Sequence, residues 1–277
     1  MKIIADSSTL YSPQEGKELG ITIIPVSVAI NGETYKDYEE IQSEELLRMI
    51  ESGGVPTSSQ PAIGEVMEAF EEAGEEEILM LSIADGLSGA YQNAVGAGNC
   101  MEHNGHIHIM DTKTLAGPHR YLVQKAMRLR EEGFHIEEIK KALYKSIESS
   151  VSFVIPVDFN FLKRSGRLTP MAAKVGALIK IVPVLTQTAD KKRIQPFVIK
   201  RSVRKAVEAI ISHLKELKVD ENYLISVGHA GTYEKAVEIL GQIREQFAST
   251  SIEILQLSPA LITHGGPGCI TIQAIRK

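Results

Sequence analysis

Short runs of apolar, mostly β-branched residues alternate along the chain with longer segments in which apolar positions recur every three or four residues. The first pattern is typical of strands and the second of amphipathic helices. Before residue 150 the pattern predicts strands at 2–5, 21–30, 77–83 and 106–112, and helices at 43–52, from Pro61 onward, at 88–101 and, as a pair, between 116 and 149. Because strands alternate with helices, we expect an N-terminal α/β domain whose mostly parallel sheet lies between two helical layers.

The order of the elements changes from Val151 onward. The segments IVPVLTQT (181–188) and RIQPFVIK (193–200) are predicted as adjacent strands joined by the turn ADKK, and such a hairpin pairs antiparallel. The remaining predicted elements are strands at 151–157, 223–229, 251–257 and 269–275 and helices at 159–163, 170–179, 202–217 and 232–247. We therefore expect an α/β fold of two domains, 1–150 and 151–277, the second with a mixed sheet and packed helices.

Turn and cap residues delimit several of these elements. Ser43 precedes an apolar-periodic segment and is predicted to cap its helix. Pro61 suits a first helical turn. The stretch NGETYKD at 31–37 is predicted as a turn.

Composition and charge exclude several classes of protein. With 277 residues the chain is long enough for two separate cores. Its 43% hydrophobic and 23% charged residues and mean hydropathy of -0.03 are typical of a folded globular protein. A net charge of -5 and a pI near 6.0 argue against a nucleic-acid partner, which requires a concentrated basic surface.

The chain has no apolar run long enough to span a membrane, and its first residues, MKIIADSS, meet a charge before a signal-peptide core could form. We therefore expect a cytoplasmic protein with at most transient membrane contact. Cys100 and Cys269 are too few and too far apart for a disulfide framework or a thiolate metal site, so we expect both to be reduced and buried. No cofactor and no metal is expected.

Three hydroxyl side chains lie directly before the helix predicted at Pro61, in the segment Thr57-Ser58-Ser59-Gln60-Pro61. The unpaired N–H groups and the dipole of a helix N-terminus favour an anion, so this segment is a candidate carboxylate or phosphate site. The alternative is that one hydroxyl caps the helix while the others are solvated.

A second hydroxyl-bearing loop, Ser88-Gly89, also follows a predicted strand and precedes a predicted helix. In open α/β sheets the ligand crevice lies beyond the carboxyl ends of the strands. The two loops are therefore expected to face one ligand.

The segment Gly86-Leu87-Ser88-Gly89-Ala90 differs by one residue from the nucleophile elbow of α/β-hydrolases. The order Ser88, then Asp111 or Asp158, then His264 is also that of a hydrolase triad. However, Ala90 replaces the second glycine, and no oxyanion-hole segment of the HGGG type precedes the serine. A serine hydrolase or esterase remains the alternative enzymatic hypothesis.

Other polar residues are weaker candidates. His103, His106 and His108 lie across a predicted helix end and strand start, so they need not converge on a metal. His264 precedes a Gly-rich stretch that lacks the spacing of a dinucleotide loop, and it is predicted to lie in a turn. The basic loop at 163–167 can line an anionic site but is more often simply solvated.

Six segments, in this order, resemble the DegV family of bacterial fatty-acid-binding proteins, which includes the fatty-acid-binding subunit of fatty acid kinase. They are the strand ending in Asp6-Ser7, TSSQP (57–61), LSGAYQNA (87–94), MDTKTLAG (110–117), FLKRSGRL (161–168) and HGGPG (264–268).

This resemblance implies that the protein is not itself an enzyme. It implies that Thr57, Ser58, Ser88, Gly89 and His264 bind the carboxyl group of a single long-chain fatty acid, whose chain lies in a lipid tunnel between or beside the domains. It also implies that Arg201 and His264 assist phosphoryl transfer by a separate, ATP-binding kinase subunit, which forms the acyl phosphate. A protein that senses lipid through the same pocket is the remaining alternative.

Overall fold

The structure, a computed structural model, describes residues 1–175 and 181–277. Its strands are β1 (Lys2–Asp6), β2 (Thr22–Ile24), β3 (Ser27–Ile30), β4 (Glu33–Lys36), β5 (Thr57–Ser59), β6 (Ile78–Ser82), β7 (Ile107–Asp111), β8 (Val151–Ile155), β9 (Val182–Gln187), β10 (Ile194–Lys200), β11 (Tyr223–His229), β12 (Ser251–Gln256) and β13 (Ile270–Arg276). Its helices are α1 (Pro13–Glu18), α2 (Ser43–Glu51), α3 (Ile63–Ala73), α4 (Ala90–Cys100), α5 (Gly117–Glu131), α6 (Ile136–Glu148), α7 (Phe159–Ser165), α8 (Pro170–Val175), α9 (Val203–Glu216), α10 (Tyr233–Arg244) and α11 (Pro259–Gly265).

The N-terminal half contains a four-stranded sheet in the order β2-β1-β6-β7, in which every pair is parallel. The central strand β6 is buried along its whole length, as its apolar sequence ILMLS requires of a strand covered on both faces. Leu122 of α5 and Ile139 of α6 pack on one face, and Phe70 of α3 and Ala94 of α4 pack on the other. The predicted arrangement of a parallel sheet between two helical layers is confirmed.

The prediction of a single strand at 21–30 is wrong, because Pro25 divides this segment into β2 and β3. Proline has no N–H to donate to a ladder, and the chain leaves the parallel sheet there. The second piece, β3, belongs to a separate antiparallel sheet in the order β4-β3-β5. The predicted turn at 31–37 is also wrong in part. Only Asn31 and Gly32, both with positive φ, form a hairpin turn, and β4 follows it.

The hydroxyls of Thr57 and Ser58 were predicted to lie at a helix N-terminus, and this prediction is wrong. They belong to β5, which pairs with β3, and α3 begins only at Ile63, after Pro61. Ser43 is the first residue of α2 rather than its cap, and its hydroxyl donates to the carbonyl of Leu257 at 2.8 Å.

The C-terminal half contains a six-stranded sheet in the order β10-β9-β8-β13-β11-β12. The β9–β10 hairpin is antiparallel as predicted, and β11 and β12 are parallel, so the predicted mixed sheet is confirmed. β8 begins at Val151, and the domain boundary near residue 150 stays a prediction. The helix predicted at 170–179 is present as α8 up to Val175, and 176–179 lie outside the described residues.

One face of the six-stranded sheet packs against α9 and α10 through an apolar core that includes Phe153, Ile210, Ile239 and Ile272. The opposite face faces the N-terminal half. There α5 packs against β11 and β13, and α6 packs against β13. The two halves are therefore joined through this second face.

A row of polar side chains crosses that second face of the sheet. Ser152, Gln273, Ser226 and Glu253 are direct partners from β8 to β12, and Gln187 continues the row on β9 by the β8–β9 register. We call these five residues the polar row. A polar row on a face that packs against another domain requires hydrogen-bond partners there.

The polar row holds the segment 113–117 between β7 and α5 by its backbone. Gln187 Nε2 donates to the carbonyl of Lys113 at 3.2 Å, and Gln273 Nε2 donates to the carbonyl of Leu115 at 3.0 Å. The N–H of Gly117 donates back to Gln273 Oε1 at 3.3 Å. These bonds fix Leu115 and Ala116 above the C-terminal sheet.

Two further observations complete the fold. Both cysteines are free, as expected, but Cys100 is exposed on the last turn of α4 rather than buried, whereas Cys269 is buried.

In the part of the chain that the structure describes, no helix combines the length and apolar character needed to cross a membrane.

Candidate functional site

The short helix α11 presents His264 in its last turn. The hydroxyl oxygen of Ser258 accepts from the N–H of Leu261 at 3.3 Å and caps the helix, and Pro259 occupies the first helical position. His264 was predicted in a Gly-rich turn, but the turn begins only after it. Gly266 ends the helix with φ 79°, and a Cβ there would lie 2.6 Å from the Phe161 ring.

The buried carboxyl group of Asp37 fixes the start of α11. Asp37 follows β4, accepts from the hydroxyl of Ser7 at 2.6 Å and accepts from the N–H of Ala260 at 3.2 Å. Burial raises the pKa of Asp37 to about 7. One side chain of the N-terminal half thus holds the helix that carries His264.

Ser58 and His264 form a hydrogen bond, with 2.7 Å between Oγ and Nε2, although they are 206 residues apart. Side chains alternate along β5, and Ser58 is half-buried while Thr57 and Ser59 are exposed. Burial, and then the charge of Arg167, lowers the pKa of His264 to about 4. The imidazole is therefore neutral at neutral pH and can donate or accept a hydrogen bond at this position.

Arg167 reaches the same place from the loop after α7. Gly166, in the left-handed conformation with φ 72°, ends α7 and turns the chain toward the N-terminal half. Arg167 Nε donates to the carbonyl of Leu87 at 2.9 Å, and Nη1 donates to the carbonyl of Ser165. Burial lowers the pKa of Arg167, yet an arginine stays protonated in the physiological range. Sequence reasoning placed Arg167 only in a basic loop, and its contacts give it a position in the site.

These side chains surround a polar cavity that contains both the cation and several hydroxyl groups. Such a set of donors suits a carboxylate or a phosphate. The lining residues are Val55, Pro56, Thr57, Ser58, Phe161, Arg164, Ser165, Arg167, Thr263 and His264.

A second, largely apolar cavity lies between the six-stranded sheet and the loops of the N-terminal half. It shares Ser165, Arg167 and His264 with the polar cavity, so the two meet at these residues. Its other lining residues are Ile83, Leu87, Leu115, Ala116, Ser152, Phe153, Val154, Leu162, Thr186, Gln187, Ile194, Leu257, Leu261, Gly265, Cys269, Thr271 and Gln273. Together the two cavities fit a molecule with an anionic head and a long apolar tail.

Ser88 and Gly89 directly follow Leu87, which lines the apolar cavity, but they belong to neither lining. The hydroxyl oxygen of Ser88 accepts from the N–H of Ala90 at 3.2 Å, at the start of α4. A Cβ at Gly89 would lie 1.9 Å from Oε1 of Gln60, so this glycine lets the segment after β5 approach closely. The loop contacts the site through the carbonyl of Leu87, which Arg167 binds.

The residues of the hydrolase hypothesis do not form a hydrogen-bonded triad in the described structure. His264 bonds Ser58, and no hydrogen bond joins it to Ser88. Asp111 accepts from the N–H of Asp85 and of Lys113 and so fixes a loop. Asp158 likewise caps α7.

The remaining candidates lie elsewhere. Arg201 is exposed, follows β10 and lines neither cavity. The strands β10 and β13 run in opposite directions, so Arg201 lies at the edge of the sheet from which β13 starts. His264 lies near the start of β13. Among His103, His106 and His108, the structure gives only His108 a carboxylate neighbour, at 3.9 Å. The described residues contain no cluster of three or more side chains able to hold a metal.

Comparison with known proteins identifies the family. The sequence model of the DegV family, a family of uncharacterised proteins, matches residues 1–277. The chain belongs to the DegV family. A DegV domain-containing protein of Listeria monocytogenes is 31% identical over 277 residues, which cover 97% of this chain and 95% of the relative.

Two solved DegV structures are similar over the full chain. DegV of Bacillus subtilis, a fatty acid binding protein, is 26% identical with a TM-score of 0.88, and the match covers 100% of this chain and 99% of that one. A fatty acid binding DegV family protein of Streptococcus agalactiae is 26% identical with a TM-score of 0.89, over 100% and 98%. The predicted DegV resemblance and the two-domain α/β fold are confirmed.

Proposed function

We propose that this DegV protein binds a single long-chain fatty acid, with the carboxyl group in the polar cavity and the acyl chain in the apolar cavity. The observation that carries the proposal is the meeting of the two cavities at Ser165, Arg167 and His264. The fatty acid binding of the Bacillus subtilis and Streptococcus agalactiae relatives supports it.

The chemistry of the two cavities divides affinity from orientation. Each buried methylene contributes about 0.8 kcal/mol of transfer free energy, so the tail supplies most of the affinity. The head group meets a half-buried arginine and neutral hydroxyls at an opening to solvent, which avoids the desolvation of a fully buried ion pair. Such a site orients the carboxyl group and leaves it reachable from outside.

The first test is direct. Protein purified under native conditions should release fatty acid on denaturation, at about one molecule per chain, as measured by mass spectrometry. Ser58→Ala should weaken binding roughly five- to tenfold, because one hydrogen bond to the head group or to His264 is lost. Ser59→Ala is the matched control, since Ser59 is the next, exposed residue of β5 and lines neither cavity.

Two results would contradict this proposal. Absence of lipid together with no measurable binding of added fatty acid would remove the function itself. Covalent labelling of Ser88 by a fluorophosphonate, with esterase turnover that Ser88→Ala abolishes, would instead establish the hydrolase.

We further infer that the protein is not itself an enzyme and acts in the cytoplasm, presenting the bound carboxyl group to an ATP-binding fatty acid kinase subunit. Thr57 is exposed at the mouth of the polar cavity, which gives a partner access to the head group. Arg201 lies free of both cavities at the same end of the sheet as His264, where its planar fork can neutralise a phosphoryl group.

This role predicts that Arg201→Ala retains bound fatty acid but lowers acyl phosphate formation at least about tenfold when the kinase of the same organism and ATP are supplied. Arg204→Ala is the control, because Arg204 is an exposed arginine one turn away that pairs with Glu208. Equal rates for both variants would assign Arg201 to the solvated surface. Loss of fatty acid from Arg201→Ala would place it in head-group binding instead.

A further inference from the structure

The apolar cavity has a polar wall where it meets the polar row. Ser152, Gln187 and Gln273 line it there. Cys269 contacts α11 directly before β13 begins, and Gln273 lies four residues later, within β13. At the rise of a β-strand this separation is roughly 13 Å, so the wall lies away from the head group. The distal part of a bound acyl chain would therefore meet polar groups.

The hydrogen bonds of this wall are incomplete in a complementary way. The amide of Gln273 is satisfied by Leu115, Gly117 and Ser152. Gln187 donates from Nε2 to two carbonyls, but its Oε1 is buried with no partner. The hydroxyl oxygen of Ser152 accepts from Gln273 at 2.9 Å, and its hydrogen has no acceptor among the described residues.

This free donor and this free acceptor are neighbours on β8 and β9, and both residues are strongly buried, Ser152 with 8% and Gln187 with 9% of its surface exposed. Buried polar groups are almost always paired, so the wall lacks a partner that both accepts and donates. A methylene chain offers neither. A hydroxyl group offers one donor and two acceptor lone pairs, and it satisfies both residues at once.

We propose that the distal part of the apolar cavity recognises an acyl chain that carries a hydroxyl group, with Ser152 donating to that hydroxyl and Gln187 accepting from it. A hydroxy fatty acid is then the preferred ligand. The inference rests on the proposed function, since it uses the same cavity, but it adds the chemistry of the tail. An oxo group would satisfy only Ser152 and would leave Gln187 unpaired.

The test uses octadecanoic acid and a series of hydroxyoctadecanoic acids whose hydroxyl moves one carbon at a time along the distal half of the chain. At least one member should bind the wild-type protein roughly tenfold more tightly than octadecanoic acid, measured by calorimetry on delipidated protein. The corresponding oxo acid should bind less tightly than that member. Ser152→Ala should lose the preference while still binding octadecanoic acid.

Ser226→Ala is the matched control, because it removes another buried hydroxyl from the polar row, on β11, outside the lining of either cavity. It should keep the preference for the hydroxy acid. A series in which no member binds more tightly than octadecanoic acid would overturn the inference, since a bound water would then satisfy both residues. Failure of every acid in the series to bind, octadecanoic acid included, would instead overturn the proposed function.

Discussion

Replacement of Arg167 by Met should weaken fatty acid binding by roughly 100-fold, about 3 kcal/mol, in a calorimetric or competition assay. Arg167 is half-buried and lines both cavities at the place where a carboxylate must lie for its tail to enter the apolar cavity. The variant removes the positive charge and also frees the carbonyl of Leu87, which Arg167 Nε now binds. The lost charge weakens binding of the head group, and the lost hydrogen bond loosens the loop that contains Leu87.

Two variants separate these contributions. Arg167→Lys keeps the charge but loses the planar fork, so it should recover only part of the affinity. Arg164→Met is the matched control. Arg164 is an exposed arginine that lies over the Phe161 ring, and it lines the polar cavity but not the apolar one. Its substitution should change affinity by a small factor. Equal effects of the two Met variants would show general charge attraction rather than a defined contact.

The same variant has a spectroscopic consequence. Arg167 is the second cause, after burial, of the low pKa of His264, so Arg167→Met should raise that pKa from about 4. Titration of the His264 ring signals by NMR measures this directly. An unchanged pKa in a folded variant would contradict the position of the guanidinium described above.

Asp37→Asn should remove a pH-dependent contribution of up to about 4 kcal/mol to the free energy of unfolding. Burial raises the pKa of Asp37 to about 7 from an ordinary value of 3.8, so the folded state binds a proton more tightly than the unfolded state. The stabilisation from this proton is fully present below about pH 4 and is lost as the pH rises through 7. Asparagine stays neutral and has no such dependence.

The measured quantity is the difference in unfolding free energy between the wild type and Asp37→Asn, from urea denaturation at several pH values. This difference should fall as the pH rises from about 4 to 7 and stay level above that. Asp190→Asn is the control of opposite sign, because a hydrogen bond from Thr188 lowers the pKa of the exposed Asp190. A flat difference for Asp37→Asn would contradict a protonated Asp37 at the start of α11.

The wild-type curve alone would conceal this effect. The pKa of His264 is lowered to about 4, so the folded state disfavours its proton, and stability is lost as the pH falls from 6.5 toward 4. This contribution opposes that of Asp37 over nearly the same pH range. The variant difference isolates Asp37 because His264 titrates in both proteins.

The sequence predicted the elements that depend on local pattern. The apolar run ILMLS predicted a buried parallel strand, and the ADKK turn predicted an antiparallel hairpin, and both are present. It failed where one residue changes the course of the chain, as Pro25 does. It also failed where polar side chains serve a distant segment, as Ser43 does by donating to Leu257 instead of capping its own helix.

The candidate site was predictable only in part for the same reason. Thr57, Ser58 and His264 were all selected from the sequence, but nothing local indicates that Ser58 bonds a histidine 206 residues away. Arg167 was recognised only as part of a basic loop, because its position depends on the turn at Gly166 and on Leu87. Ser152, Gln187 and Gln273 were not selected from the sequence, because their hydrogen-bond partners lie on other strands and in the segment 113–117.

The backbone anchoring of the segment 113–117 has an evolutionary consequence. Gln187 and Gln273 hold this segment through main-chain atoms of Lys113, Leu115 and Gly117, so the side chain of Leu115 takes no part in its own fixation. Leu115 nevertheless lines the apolar cavity. Substitutions at this position can therefore reshape the cavity while the backbone that supports it stays in place, so ligand preference can evolve without a change of fold.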